Sequence, residues 1–304
     1  MFCTLCPRAC GAARTETSGG GVCAMPSLPV VARAALHHWE EPPISGRNGS
    51  GTVFFSGCSL KCVFCQNEAI SHENFGRAIP VSRLREIFFE LIAQGAHNIN
   101  LVNPTHFAHA VGAALSEPLP VPVVWNSGGY DCVETLRALE GKIQIYLPDL
   151  KYARAETAAR YSAAPDYPEA ARAAIAEMVR QTGPCVLEDG LLKRGTVIRH
   201  LILPGHLSET KEVMDWVAAA FPPGTVLFSL MSQYTPWGRA EAYPELNRSL
   251  RPSEARAAER YMAALGLEGC AQELGAADSA FIPPFDLTGV LHKEGQEKVK
   301  KNKN

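Results

Sequence analysis

The stretch Phe54-Phe55-Ser56-Gly57-Cys58-Ser59-Leu60-Lys61-Cys62-Val63-Phe64-Cys65 turns a strand into a metal-binding loop. An apolar run at 52–56 reads as a buried strand, and thiols spaced C-x3-C-x2-C follow it at once. Three thiolates on one short loop can hold three irons of a cubane iron–sulfur cluster, leaving the fourth iron without a protein ligand. An open metal position marks a site that does chemistry rather than one that only ties the chain together.

From residue 51 onward, short β-branched runs alternate with amphipathic stretches rich in Ala and Leu. The pattern predicts strands at 52–56, 98–102, 121–126, 142–147, 196–203 and 225–231. Helices are expected at 81–94, 105–116, 132–139, 167–181 and 208–221, and a last one at 252–265 covers an edge. In the first of these, Leu84, Ile87, Phe88 and Leu91 form one apolar stripe, and Ser82 is a candidate cap. Parallel strands need helical crossovers, and six such units curl into an open barrel where eight would close it. The fold class is therefore α/β, a partial (βα)6 TIM-like barrel. A hairpin with its turn at Lys193-Arg194-Gly195 reads as an insertion, and a segment at 280–282 is too weak to assign.

Domain limits follow from composition. Residues 1–50 look irregular, with four cysteines, Gly19-Gly20-Gly21 and Pro42-Pro43, and read as a Cys-rich metal-binding extension. Residues 51–291 form the barrel, and the Lys- and Glu-rich tail at 292–304 is expected to be disordered. A chain of 304 residues with 46% apolar and 20% charged side chains can bury a full core. A net charge of −2, with no basic block in its body, argues against a dedicated nucleic-acid binder. No apolar stretch is long enough to span a bilayer, and the N-terminus lacks the order of a signal peptide. A cytoplasmic protein without a membrane partner is expected. Seven of the ten cysteines fall before residue 66, which points to metal ligands rather than disulfides.

In open barrels the reactive groups sit at the C-terminal strand ends. There the chain carries Asn103-Pro104-Thr105-His106, Asn126-Ser127-Gly128-Gly129-Tyr130, Pro148-Asp149-Leu150-Lys151, Arg199-His200 and Ser232-Gln233-Tyr234. Such a concentration of hydrogen-bonding side chains predicts one polar pocket. Asp149 and Lys151, two apart at one strand end, both face it. With His106 they are the candidate catalytic residues, although His106 stays open between proton donor and structural residue. His206 reads as structural. Trp125, Phe107, Cys132, Cys185 and Cys270 read as core.

With Phe64 just before the last thiol, Cys58-x3-Cys62-x2-Cys65 resembles the signature of the radical S-adenosylmethionine (SAM) superfamily. Other blocks narrow the likeness: Cys65-Gln66-Asn67, Gly95-Ala96-His97-Asn98, Tyr146-Leu147-Pro148-Asp149-Leu150-Lys151-Tyr152 and Arg199-His200-Leu201-Ile202-Leu203-Pro204-Gly205. Together they resemble uncharacterised homologues of pyruvate formate-lyase activating enzyme. The resemblance implies a [4Fe–4S] cluster on Cys58, Cys62 and Cys65, SAM on the open iron, and a 5′-deoxyadenosyl radical that abstracts hydrogen from a substrate. It implies an oxidoreductase of activating-enzyme type, a protein substrate such as a backbone glycine, and an electron donor such as flavodoxin or ferredoxin. The residues that SAM would meet are Phe64, Asn103, Thr105, Asn126, Ser127, Asp149, Lys151 and Arg199. Many members carry Gly-Gly-Glu after the second strand; here Asn103-Pro104-Thr105-His106 stands in its place.

A second thiol group, Cys3, Cys6, Cys10 and Cys23, fits zinc or a second iron–sulfur cluster. The alternative to an enzyme is a non-catalytic iron–sulfur or zinc module that senses iron or redox state through a partner protein. The polar lining at every strand end argues against it.

Overall fold

The computed structural model describes residues 3–272 and 283–291. Residues 3–29 form no helix or named strand, and their backbone is held by scattered bonds such as Cys3 N to Ala12 O (3.1 Å) and Ser27 N to Thr15 O (2.7 Å), with an isolated bridge at Arg14–Gly19. β1 (Val30–His37) then runs antiparallel to β2 (Ser50–Phe55), with the short helix α1 (Pro42–Ser45) between them. After α2 (Glu68–Ser71), β3 (Arg77–Ala78) pairs with the other edge of β1. The repeating part follows: α3 (Val81–Ala93), β4 (Ile99–Val102), α4 (Ala108–Ala114), β5 (Val123–Ser127), α5 (Val133–Arg137) and β6 (Ile145–Pro148). It continues through α6 (Ala155–Ser162), α7 (Tyr167–Thr182), β7 (Val186–Glu188), β8 (Leu191–Leu201), α8 (Leu207–Ala220), β9 (Leu227–Met231), α9 (Pro252–Ala264) and β10 (Gly269–Ala271).

The sheet order is β10-β9-β8-β6-β5-β4-β2-β1-β3, and every pair from β2 to β10 is parallel. The two ends of this path do not meet, so the sheet is a partial TIM-like barrel. Side-chain alternation sorts the strands' two faces. Ile99, Leu101, Val123 and Trp125 join Leu84, Ile87, Phe88 and Leu91 in the layer between sheet and helices. Val124, Ile145, Leu147 and Val197 form a separate apolar cluster inside the barrel, and Ile44 of α1 is part of it. His37 pairs with Ser50, so β1 delivers the chain to the N-terminal end of the parallel strands. There α1 plugs the barrel from below.

Several expectations are corrected. Residues 30–37, read as irregular, are a sheet strand; their alanines carry no β signal, and pairing with β2 supplies it. The N-cap of α3 is Pro80 with no side-chain cap bond, so Ser82 lies inside the first turn. The hairpin turns at Asp189-Gly190, whose φ values of 51° and 78° are the left-handed pair of a two-residue turn. α6 went unread, and β10 adds a seventh parallel strand that three residues, Gly-Cys-Ala, gave no periodicity to detect. The segment at 280–282 and the tail at 292–304 lie outside the described residues. Among the described residues no helix is long and apolar enough to cross a membrane.

Candidate cofactor site at the strand ends

β2 runs straight into the thiol loop. Leu60, Val63 and Phe64 are buried and anchor it, while Cys58, Cys62 and Cys65 stay partly accessible. Backbone bonds from Gly57 N to Ile70 O (2.7 Å) and from Val63 N to Tyr161 O (2.9 Å) fix its two sides. Each sulfur has a polar partner. Leu60 N donates to Cys58 Sγ (3.4 Å), Ser162 Oγ donates to Cys62 Sγ (2.9 Å), and Cys65 Sγ is hydrogen-bonded to Ser71 Oγ (3.2 Å). Burial and the neighbouring thiols push Cys58 up and Cys65 up to about 12. The thiolate forms of Cys58 and Cys65 therefore need a positive centre, which a bound metal would supply. The donor set fits an iron–sulfur group. Among the described residues no three His, Cys, Asp or Glu side chains close on a single ion. In a cubane each thiolate takes its own iron, so its ligands share no single centre.

A cavity of about 230 Å³ opens beside the loop. Cys62, Phe64 and Cys65 of the loop line it together with Asp149, Lys151 and Arg199 from the strand ends. Asp149 follows β6 and Arg199 lies on β8, joined by a parallel bridge. Arg199 Nε donates to Asp149 Oδ1 (2.9 Å) and Lys151 Nζ to Asp149 Oδ2 (2.5 Å). Burial alone would raise the Asp149 pKa, but Arg199 and Lys151 outweigh it and hold the carboxyl below its ordinary value.

Beneath this triad is a residue that the sequence reading missed. Glu40 Oε2 accepts from Arg199 Nη1 (3.3 Å), and Glu40 Oε1 accepts from Asn100 Nδ2 (3.0 Å) and Asn126 Nδ2 (3.3 Å). Asn126 Oδ1 in turn accepts from Arg199 Nη2 (2.6 Å). Glu41 is buried beside it. Burial pushes both glutamates up, against the pull of Arg199. The only sequence signal was two adjacent acids ahead of Pro42-Pro43, and it gains meaning once β1 is known to end under the barrel.

The other candidates fall elsewhere. Thr105 Oγ1 and Ser127 Oγ both donate to the buried Asp131 (2.6 and 2.5 Å), joined by Trp125 Nε1 (3.2 Å). Asn103 Nδ2 donates to Gly57 O (2.6 Å), so Asn103 braces the thiol loop. His106 Nε2 pairs with Ser56 O (2.7 Å), and burial lowers its pKa to about 4, leaving a neutral ring under the same loop. His200 is spent between Leu150 O and Thr210 Oγ1, and His206 on Tyr161. In the extension Cys6 and Cys23 are buried, Cys3 is half-buried and Cys10 exposed. Cys132, read as core, lies within electrostatic reach of Cys3 and Cys6.

Gly129 shows how tightly the strand ends are set. Its φ is 76°, and a Cβ there would overlap the Asp149 carbonyl oxygen and crowd Tyr167 Oη. That hydroxyl also accepts from Lys151 N (2.9 Å), so the ends of β5 and β6 are one unit. Gly129→Ala is expected to cost about 2–3 kcal/mol, read from denaturant midpoints. Gly141→Ala, with φ 80° but open space around it, should cost only about 1 kcal/mol of left-handed strain.

Comparison with known proteins gives the following. No protein-family model matches the chain. The uncharacterized protein MJ0674 of Methanocaldococcus jannaschii is 31% identical over 215 residues, covering 67% of this chain and 59% of that protein. Streptococcus suis SuiB, solved with its precursor peptide SuiA, superposes with a TM-score of 0.50 at 12% identity, over 73% of this chain and 48% of SuiB. A radical SAM methyltransferase from Sphaerobacter thermophilus gives 0.46 at 12% identity, over 73% and 66% of the two chains. A domain of pyruvate-formate lyase-activating enzyme from Bacteroides vulgatus gives 0.38 at 13%, over 64% and 91%. The SuiB likeness concerns the fold alone, and the other two superpose more loosely. The chain thus spans 59% of its curated relative and about half of SuiB.

Proposed function

We propose that this chain is a radical SAM enzyme. One observation carries the reading: the loop of Cys58, Cys62 and Cys65 places two of its thiols, Cys62 and Cys65, on a cavity that Asp149, Lys151 and Arg199 also line. Cys58, Cys62 and Cys65 would hold a [4Fe–4S] cluster. When bound, the cluster and SAM together supply a 5′-deoxyadenosyl radical that takes hydrogen from the substrate.

The chain's own part is to bind, orient and exclude water. Lys151 and Arg199 offer positive charge to a carboxylate, and Asp149 offers negative charge to an amine. With both signs of charge side by side, these three residues complement the zwitterionic end of SAM. Phe64 is buried against Tyr234 with ring centroids 5.8 Å apart, and it shields the loop side of the cavity from water.

The finer reading is an activating-enzyme-like oxidoreductase in the cytoplasm, with flavodoxin or ferredoxin as electron donor and a protein glycine as target. A peptide held by SuiB, which shares the fold, supports a peptide-like substrate. Residues 51–291, together with β1 and Glu40 that are built into their sheet and site, would be the catalytic unit. Residues 1–50 would carry zinc or a second cluster on Cys3, Cys6, Cys10 and Cys23.

The test is anaerobic reconstitution with iron and sulfide, reduction with dithionite, and addition of SAM. Formation of 5′-deoxyadenosine is expected, with deuterium from a labelled substrate entering its 5′ position. Fully iron-loaded protein that makes none would leave a metal-binding module in place of the enzyme.

A further inference from the structure

The Cys-rich extension packs Met25 on Gly57 at the start of the thiol loop and reaches the middle of that loop with the side chain of Arg8. Arg8 stands two residues after Cys6, and the adjoining chain is fixed by Thr135 Oγ1, which donates to Leu5 O (3.0 Å). From there the guanidinium forks into three backbone carbonyls. Nε donates to Ser59 O (2.9 Å), Nη1 to Ala163 O (2.5 Å) and Nη2 to Ser162 O (3.3 Å). Its carbon sits 5.4 Å from the Tyr130 ring centroid.

Both targets matter to the sulfurs. Ser59 lies between Cys58 and Cys62. Ser162 ends α6, where helix carbonyls lack intrahelical partners and welcome a cation. Its hydroxyl is the donor to Cys62 Sγ at 2.9 Å. The loop already leans on this helix end through Lys61 N to Ser162 O (3.4 Å) and Val63 N to Tyr161 O (2.9 Å). Arg8 spans the two and sets their spacing.

We infer that Arg8 is a positioning residue that makes the Cys-rich extension a clamp on the thiol loop and fixes the Ser162–Cys62 hydrogen bond. A hydrogen bond to a ligand sulfur stabilises the more negative, reduced state of an iron–sulfur centre. The extension thereby acts on the chemistry of Cys62 without contacting the cavity. The loaded half of the test rests on the radical SAM reading; the metal-free half does not.

The metal-free full chain, kept reduced, is alkylated with a maleimide, and each thiol is followed by peptide mass spectrometry. In Arg8→Ala, Cys62 is expected to react at least roughly tenfold faster, because losing the guanidinium's three carbonyl bonds favours local opening. Cys185 and Cys270 should keep their rates. Arg8→Lys should restore only part of the protection, since an ammonium does not fork to three carbonyls. In iron-loaded protein, Arg8→Ala and Ser162→Ala should each make the reduction potential more negative. The double variant should match Ser162→Ala alone, because both act through one bond.

An unchanged Cys62 rate in Arg8→Ala, equal acceleration of every thiol, or additive potential shifts would overturn the clamp. If wild type binds no iron, the radical SAM reading fails, and the alkylation rates still decide this inference.

Discussion

Cys62→Ala protein is expected to form no 5′-deoxyadenosine above background, with iron content after reconstitution falling to a minor fraction of wild type. The loop should survive the change. Leu60, Val63 and Phe64 anchor it by burial, and its backbone bonds to Tyr161, Ser162 and Ile70 do not involve the thiol. Removing a half-accessible sulfur creates little cavity, so metal-free Cys62→Ala should unfold within about 1 kcal/mol of wild type. Lost product with intact folding separates a ligand from a packing residue. Cys62→Ser sharpens the point, because it keeps the size and a hydroxyl for Ser162 to meet, yet a serine oxygen is a poor iron ligand beside a thiolate. Cys185→Ala is the control: its Sγ faces Thr196 O (3.6 Å) beside the hairpin, far along the chain from the loop, and product formation should not change. Normal product from Cys62→Ala would sink the cluster assignment.

What the sequence disclosed, and what it hid, follows from range. The six longer parallel strands were legible because each is a β-branched run buried on both faces. The thiol loop was legible because its spacing is local. Asp149 and Lys151 were placed together by strand alternation alone, and the structure puts both on the cavity wall. Glu40 was hidden because its partner Arg199 is 159 residues away, and nothing local ties them. Arg8 and Ser162 are 154 residues apart, and no local pattern links them. Thr105 and Ser127 were misleading for the opposite reason. A hydroxyl at a strand end looks available until a buried carboxylate, Asp131, is found to use it. Polar composition at the strand ends marks where a pocket forms, whereas tertiary pairing selects which side chains are left to serve it.

Asp149→Ala is expected to destabilise the fold by about 3 kcal/mol, because it leaves Lys151 without its carboxylate partner and Arg199 with Glu40 alone. Side-chain exposures of 14% for Asp149 and Arg199 and 21% for Lys151 put this cluster well below the surface, where breaking a pair is costly. Asp149→Asn should cost less, since an amide oxygen still accepts from Arg199 Nε. The two differ most clearly in pH dependence. Asp149 is held below its ordinary value in the fold, while the unfolded chain binds its proton at about pH 3.9. Its contribution is therefore complete above that value and fades as pH falls through the folded pKa, so wild type should lose stability steeply on acidification below about pH 4. Glu40 and Glu41 work in the other direction: their pKa values are raised by burial, so ionising them as pH climbs above the ordinary carboxylate range costs stability. Denaturant titrations from pH 3 to 8 should show both proteins falling on the acid side, since Glu177, Glu245 and Glu254 are also held below the ordinary carboxylate range, with Asp149→Asn falling less steeply than wild type. Equal acid slopes in the two proteins would mean that Arg199 and Lys151 do not hold Asp149 charged, and the mixed-charge site proposed for SAM would lose its basis.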